Sequence, residues 1–94
     1  MKRKLLTQGE IETALGDLKG WRVDGVMLKR RFDFEDFAAA LAFVNLIGEA
    51  AEKLDHHPDI TFGWGYAEVV TTTHDRGGIT DFDLSLARSV DDVA

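Results

Sequence analysis

The chain has 94 residues, with 17 acidic and 11 basic side chains and a net charge of −6. This acidic balance argues against a nucleic-acid backbone or an anionic membrane surface as the main partner. The sequence contains no cysteine, which excludes disulfides, thiol nucleophiles and cysteine-ligated metals. No apolar run approaches the about 18 residues of a membrane-spanning helix, and no signal-peptide pattern is present, so we expect a cytoplasmic protein.

The length predicts one domain over residues 1–94, with a flexible tail over residues 1–6 that includes the basic run Lys2-Arg3-Lys4. A chain of this size buries only about 60–65% of its unfolded surface. Association with further copies of itself would therefore add stability.

A first helix is predicted to begin after Thr7. Thr7 and Glu10 have the spacing of a capping box, in which each side chain accepts a hydrogen bond from a backbone N–H at the helix start. Leu6 and Ile11 flank this pair as a hydrophobic staple does. Gly16 is the expected stop.

Two short strand-like runs follow, at residues 20–23 and 26–34. Asp24-Gly25 separates them, and both residue types tolerate the positive φ of a tight turn. The pattern predicts a β-hairpin with Asp24-Gly25 at its tip.

Residues 36–54 are rich in alanine and have helical periodicity. Their apolar positions cover an arc about twice the 100° that a single core-facing stripe needs. We expect the additional face to meet another subunit. The main stripe is Phe37, Ala40, Leu41, Val44, Ile47, Ala51 and Leu54, extended by Ala39, Phe43, Leu46 and Ala50.

Pro58 ends the helical region, and residues 59–74 are typical of two strands with a turn near Gly63 and Gly65. A last helix is predicted near Thr80, which forms a second capping-box pair with Asp83. The order α-β-β-α-β-β-α indicates an α+β fold, with a four-stranded antiparallel sheet and helices packed on one face.

All three histidines lie at predicted junctions between elements. His56 and His57 join the long helix to the following strand, His74 ends the next strand, and Glu52 and Asp55 precede the pair. Solvated structural histidines, a zinc site and metal-free proton transfer are all compatible with this pattern. No H-x-H or H-x-x-x-H spacing is present, and this favours proton transfer over a metal site.

The spacing of these residues resembles the signature of the pterin-4a-carbinolamine dehydratase family. That signature has an acidic residue, a His-His-Pro run, an aromatic residue, a later histidine and a final aspartate. The chain carries these types at the expected spacing, as Glu52, His56, His57, Pro58, Trp64, His74 and Asp83. Gly20-Trp21 and the Phe32, Phe34 and Phe37 run extend the resemblance to about residues 7–94.

The resemblance implies loss of water from a 4a-hydroxytetrahydropterin to give the quinonoid dihydropterin, in tetrahydropterin recycling. It implies no cofactor, no metal and assembly as a homodimer or homotetramer, the latter through the long helices. It assigns His56, His57 and His74 to binding and proton transfer, with His57 and His74 as the first candidates for the catalytic pair. Which histidine is acid and which is base stays open.

Six further residues are candidates for substrate binding, each with a structural alternative. Asp83 has a sufficient role as a helix cap, and Trp64 is expected to serve packing. Arg76 departs from relatives that carry cysteine there, and the hairpin at Asp24-Gly25 is shorter than in some of them. The candidates are Glu52, Asp55, Trp21, Thr72, Thr73 and Asp83.

Some animal members of the family bind a transcription factor through the helical face. A non-catalytic partner-binding protein is therefore the alternative to the enzyme. The sequence does not indicate which pterin is the natural substrate.

Overall fold

A computed structural model describes residues 4–94 and confirms the predicted α+β fold and element order. Three α-helices and one four-stranded antiparallel sheet form a single unit, with a short 3₁₀ helix at His74–Arg76 before the last α-helix. In chain order the elements are α1 (Gln8–Leu15), β1 (Arg22–Asp24), β2 (Met27–Asp33), α2 (Phe37–Leu54), β3 (Asp59–Gly63), β4 (Tyr66–Thr71) and α3 (Asp81–Val93).

The strands lie in the order β1-β2-β4-β3, so the central strand β4 separates β2 from β3. Leu28 of β2 pairs with Thr71, and Ile60 of β3 pairs with Val69. Side chains alternate between the two faces of a strand, and Ala67, Val69 and Thr71 of β4 are therefore buried together. The functional end of the sheet is the one where β4 finishes, at Thr71.

The β1–β2 turn lies one residue later than predicted. Asp24 pairs with Met27, which leaves Gly25-Val26 as the two-residue loop. Of these two residues only Gly25 has a positive φ, at 62°. The prediction of a turn at Asp24-Gly25 is wrong because Asp24 still belongs to the strand ladder, where Lys29 binds its carboxylate at 2.9 Å.

Helices α2 and α3 cover one face of the sheet and form most of the core. Helix α2 begins after Asp36, whose side chain accepts a hydrogen bond from the Ala39 N–H at 2.8 Å. Burial on one side of each helix is nearly complete. The buried apolar residues are Ala40, Phe43, Ile47 and Ala51 of α2 and Leu84, Leu86, Ala87 and Val90 of α3.

The predicted additional apolar face of α2 is partly open to solvent. Phe43 of that set is 3% exposed and belongs to the core, whereas Leu46 is 41% exposed. Phe37 and Leu41, which we predicted to lie on the main core-facing stripe, are 45% and 40% exposed. Phe37 packs against Phe62 of β3, with the ring centroids 5.6 Å apart. Helix α2 therefore presents large apolar side chains on the flanks of its buried stripe.

The N-terminal segment is attached to the start of α3. Leu5 forms an isolated bridge with Thr80, and the Leu6 N–H donates to the Ile79 carbonyl at 2.9 Å. Residues 1–3 of the predicted tail lie outside the described residues. The predicted capping box of α1 is present, with Thr7 and Glu10 each accepting from the other's backbone N–H.

A polar contact ties the C-terminal helix to the hairpin. Asp91 of α3 accepts hydrogen bonds from the Trp21 indole N–H at 2.9 Å and from Arg30 at 3.0 Å. The Arg30 guanidinium also lies 4.3 Å from the centre of the Phe32 ring. Within residues 4–94, no helix combines the length and the apolar character that crossing a membrane requires.

Candidate active site

The end of α2 directs the two adjacent histidines. Asp55 caps the helix in the left-handed conformation, at φ 53° and ψ 43°, and no other described non-glycine residue has a positive φ. Its N–H and that of His56 return to carbonyls of the last helical turn. Pro58 restricts His57 to an extended backbone. The chain therefore leaves the helix sharply and places His56 in the interior, with 7% of its surface exposed.

His56 binds a buried carboxylate. Its Nε2 lies 2.6 Å from Oδ1 of Asp83, in the first turn of α3, and the Asp83 side chain is fully buried. The same oxygen accepts from the Thr71 hydroxyl at 2.6 Å. The other oxygen accepts from the Thr73 hydroxyl at 2.8 Å and from the Thr80 N–H at 2.9 Å. This pairing joins the end of α2, the end of β4 and the start of α3.

The three consecutive threonines point to alternate sides. Thr71 and Thr73 are each 1% exposed and turn toward Asp83. Thr72 turns the other way, and its hydroxyl donates to the Val26 carbonyl in the β1–β2 turn at 2.6 Å. The end of β4 thus separates a buried polar cluster from the rim of the site.

His57 has a different environment from its neighbour. Its Nε2 contacts the carboxylate of Glu52, in the last turn of α2. The side chains of His57 and Glu52 are 55% and 77% exposed. The adjacent histidines therefore differ, since one binds a buried carboxylate and the other an exposed one.

His74 completes the site from the opposite side. It begins the 3₁₀ helix after β4 and is exposed. A cavity of about 300 Å³ lies between this turn and the end of α2. Seven residues line it: Asp55, His56, His57, Thr72, Thr73, His74 and Asp75. The structure thus brings the three predicted histidines together.

Other predicted site residues lie apart from this cavity. Trp21 is 5% exposed, packs edge-on against Phe32 and is bonded to Asp91, so it belongs to the core. Asp83 lies beneath the cavity, behind His56. Glu52 does not line the cavity and contacts His57, which does. Trp64, which we expected to serve packing, is 73% exposed in the β3–β4 turn because this turn projects from the sheet.

Sequence reasoning missed Thr71 as a site residue. The histidine motif does not include it, and its hydroxyl is engaged by a residue 12 positions away. The available signal was the alternation of a strand, which places Thr71 and Thr73 on one face and Thr72 on the other. The capping role of Asp83 was expected, but its bond to His56 spans 27 positions and has no local signature.

The site has the parts that proton transfer needs. Imidazoles can donate or accept a proton near neutral pH, and three of them reach one small cavity. No group of three or more His, Asp or Glu side chains within residues 4–94 is arranged to hold a metal ion. Larger depressions exist, for example beside Leu46, Ala50 and Val93, but none of those described contains a histidine.

Fold and cavity together define a small α+β domain with a histidine-lined site suited to acid–base chemistry. A family model described as pterin 4 alpha carbinolamine dehydratase matches residues 4–93. A relative from Koribacter versatilis is 40% identical over 96% of each chain. One from Rubrobacter xylanophilus is 48% identical, over 87% of this chain and 78% of its own. Both are provisionally named pterin-4-alpha-carbinolamine dehydratases.

Solved structures also resemble this one. A transcriptional coactivator/pterin dehydratase from Brucella melitensis superimposes with a TM-score of 0.91 and 38% identity, over 97% of this chain and 99% of that one. A pterin dehydratase-like protein described as a RuBisCO assembly factor in the alpha-carboxysome superimposes with a TM-score of 0.65 and 25% identity. The match covers 79% of this chain and 86% of that one.

The chain belongs to the pterin 4 alpha carbinolamine dehydratase family. This membership confirms the family resemblance that the histidine motif carries. It also confirms the prediction of an enzyme, a pterin carbinolamine dehydratase.

Proposed function

We propose that this chain removes water from a 4a-hydroxytetrahydropterin by histidine acid–base catalysis, without a metal, in tetrahydropterin recycling. The observation that carries the proposal is the convergence of His56, His57 and His74 on one cavity. In the reaction the C4a–O bond breaks and the departing hydroxyl takes up a proton to leave as water. The neighbouring ring nitrogen loses its proton, and a C=N bond forms to give the quinonoid dihydropterin.

The two proton transfers need an acid and a base on neighbouring atoms of the pterin ring. We assign His57 and His74 to these transfers because both are exposed and line the cavity from opposite elements. Glu52 supports His57 through their direct contact. Each well-placed acid or base contributes about 10²–10⁴ in rate.

We assign binding and orientation to four other residues that line the cavity. His56, Asp55, Thr72 and Thr73 line the cavity beside the two exposed histidines. Asp83 serves as the partner of His56 rather than as a substrate contact, since its side chain is fully buried. We leave Trp21 out of the substrate-binding set because of its place in the core.

The decisive experiment is the dehydration rate of freshly generated 4a-hydroxytetrahydropterin, measured after treatment of the protein with a chelator. We expect rapid turnover by the wild type and a loss of at least tenfold in His57→Ala and in His74→Ala. Lys19→Ala, an exposed change outside the cavity, is the control and should match the wild type. No acceleration over buffer by the folded wild type would refute the proposal.

We also propose that the chain forms a homodimer or homotetramer. The support is the exposed apolar set on α2, Phe37, Leu41 and Leu46, together with the length of the chain. Large exposed apolar side chains gathered on one helix are typical of a surface that another protein covers.

A partner-binding role is the second candidate function, favoured by the same exposed apolar side chains of α2. Similar solved structures include a transcriptional coactivator/pterin dehydratase and a RuBisCO assembly factor, by their own descriptions. A folded protein with an intact histidine set and no turnover would favour this role. The complete set of three histidines at the cavity favours catalysis.

A further inference from the structure

The buried cluster around Asp83 contains more donors than a helix cap requires. A carboxylate has two oxygens and accepts about four hydrogen bonds. Asp83 is fully buried and accepts from three donors besides His56, namely the Thr71 hydroxyl, the Thr73 hydroxyl and the Thr80 N–H. Asp83 Oδ2 closes the capping box and accepts from Thr73 and Thr80. The contacts with Thr71 and His56 lie on the other oxygen, Oδ1, and are not part of the cap.

The directions of these hydrogen bonds follow from the number of hydrogens available. The Thr80 backbone N–H is a donor only. The Thr73 hydroxyl has a single hydrogen, which goes to Asp83 Oδ2, and its contact with the Thr80 hydroxyl at 2.8 Å must therefore be a donation from Thr80. Donors of this kind stabilise the ionised form of the carboxylate they surround.

This arrangement determines which nitrogen of His56 carries hydrogen. An ionised carboxylate can only accept, so the Nε2 that lies 2.6 Å from Asp83 must be an N–H. In a neutral imidazole the other nitrogen is then the acceptor. Nε2 is engaged by Asp83, and Nδ1 is therefore the ring nitrogen left for a molecule in the cavity.

We propose that Thr71 is a positioning residue that, together with Thr73, orders Asp83 so that His56 offers the Nδ1 lone pair to an N–H or O–H of the substrate. The part that concerns the substrate rests on the proposed function. Thr71 acts on the same oxygen as His56, whereas Thr73 and Thr80 act on the other. It is therefore the hydroxyl nearest to the hydrogen bond that fixes the tautomer.

The test uses the full chain with ¹⁵N-labelled histidine and ring-nitrogen NMR at a pH where the His56 ring is neutral. A His56→Asn variant identifies the His56 signals. In the wild type we expect hydrogen on Nε2 and a bare Nδ1. In Thr71→Val, which removes the hydroxyl at nearly constant shape, the Nε2–H population should fall. In Thr71→Ser, which restores a hydroxyl, it should return.

Ile47→Val is the control for lost stability, since Ile47 is fully buried in α2 and is not part of the cluster. It should leave the His56 signals unchanged. Thr73→Val gives a second variant should Thr71→Val fail to fold. Hydrogen on Nδ1 in the wild type, or an unchanged tautomer in both valine variants, would overturn the proposal.

Turnover of 4a-hydroxytetrahydropterin separates this proposal from the proposed function. For Thr71→Val we expect turnover about tenfold below that of the wild type and of Ile47→Val. This is the size of effect that follows from the loss of one hydrogen bond to a charged group. A wild type without turnover that still carries hydrogen on Nε2 would refute the dehydratase and support the ordering of His56. Normal turnover by a wild type with hydrogen on Nδ1 would support the dehydratase and refute the ordering of His56.

Discussion

Asp83 caps helix α3 and also binds His56. Its Oδ2 accepts from the Thr80 N–H at 2.9 Å, and its Oδ1 accepts from His56 Nε2 at 2.6 Å. One fully buried carboxylate therefore holds the start of a helix and one face of the candidate active site. The stability of α3 and the placement of His56 cannot be changed independently at this position.

For this reason we expect Asp83→Asn to lower the free energy of unfolding by about 2–4 kcal/mol. The amide has no charge and one acceptor oxygen, so the charge-assisted bonds are lost, and its NH2 group can bond His56 and Thr71 only after their hydrogens are redirected. Urea unfolding measures the loss. Asp81→Asn is the control at the first position of the same helix. Asp81 Oδ1 is buried without a hydrogen-bond partner among the described residues, so its change removes a charge beside the helix N-terminus and should cost less than about 1 kcal/mol.

A second prediction concerns the contact between Asp91, Trp21 and Arg30. Asp91→Asn weakens two hydrogen bonds to a partly buried carboxylate, and we expect it to lower the free energy of unfolding by about 1–3 kcal/mol. Turnover per folded molecule should stay at the wild-type value, because none of the three residues lines the histidine cavity. A large loss of turnover in fully folded Asp91→Asn would contradict our assignment of Trp21 to the core and not to the active site.

The neighbouring Asp92→Asn is the control for this change. Asp92 is exposed on the same helix, and we expect its substitution to change the free energy of unfolding by less than about 0.5 kcal/mol.

A third prediction concerns acid. The Thr7 N–H and hydroxyl bind the Glu10 carboxylate and hold the pKa of Glu10 below its ordinary value of 4.5. A depressed pKa in the folded state stabilises the protein above the unfolded pKa, and that contribution disappears as the pH falls through the folded pKa. The excess stability of the wild type over Glu10→Gln should therefore be largest above pH 4.5 and vanish in stronger acid.

Urea unfolding of both proteins over a series of pH values measures this difference. Glutamine keeps a neutral acceptor at the capping-box position, so the comparison isolates the charge. A difference in stability that grows as the pH falls would contradict the assignment.

The exposed face of α2 gives the fourth prediction. Leu41 is 40% exposed on this face, and a lysine there should oppose burial against another subunit. We expect light scattering after size-exclusion chromatography to find a dimer or tetramer for the wild type and a smaller species for Leu41→Lys. Glu12→Lys on exposed α1 is the control. A wild type that stays monomeric at high concentration would contradict the proposed assembly.

Local signals in the sequence predicted most of the fold. The Thr7–Glu10 and Thr80–Asp83 boxes each join residues three apart, and both are present in the structure. Helical periodicity predicted a helix over residues 36–54, and α2 spans Phe37–Leu54 with Asp36 as its N-cap. The β1–β2 turn was misplaced by one residue. Asp24 is suited to a turn, but in the structure it ends β1 and forms an ion pair with Lys29.

The site could be predicted as a set of residue types but not as a geometry. Spacing identified the three histidines that line the cavity. It did not reveal that His56 is buried and His57 exposed, because that difference depends on the backbone of Asp55 and on Asp83, 27 positions later. Trp21 was a candidate for substrate binding, yet it is held in the core by a hydrogen bond to Asp91, 70 positions later.

The division of neighbouring side chains between two sides of the site has a consequence for chain length. His56 and His57 point to different partners, and so do Thr71 and Thr72. Inserting or deleting one residue in either segment would bring the wrong side chain to Asp83 and move its neighbour into the core. Homologous chains should therefore gain or lose residues in the turns at Gly25 and Gly65, and keep a constant length between α2 and Pro58.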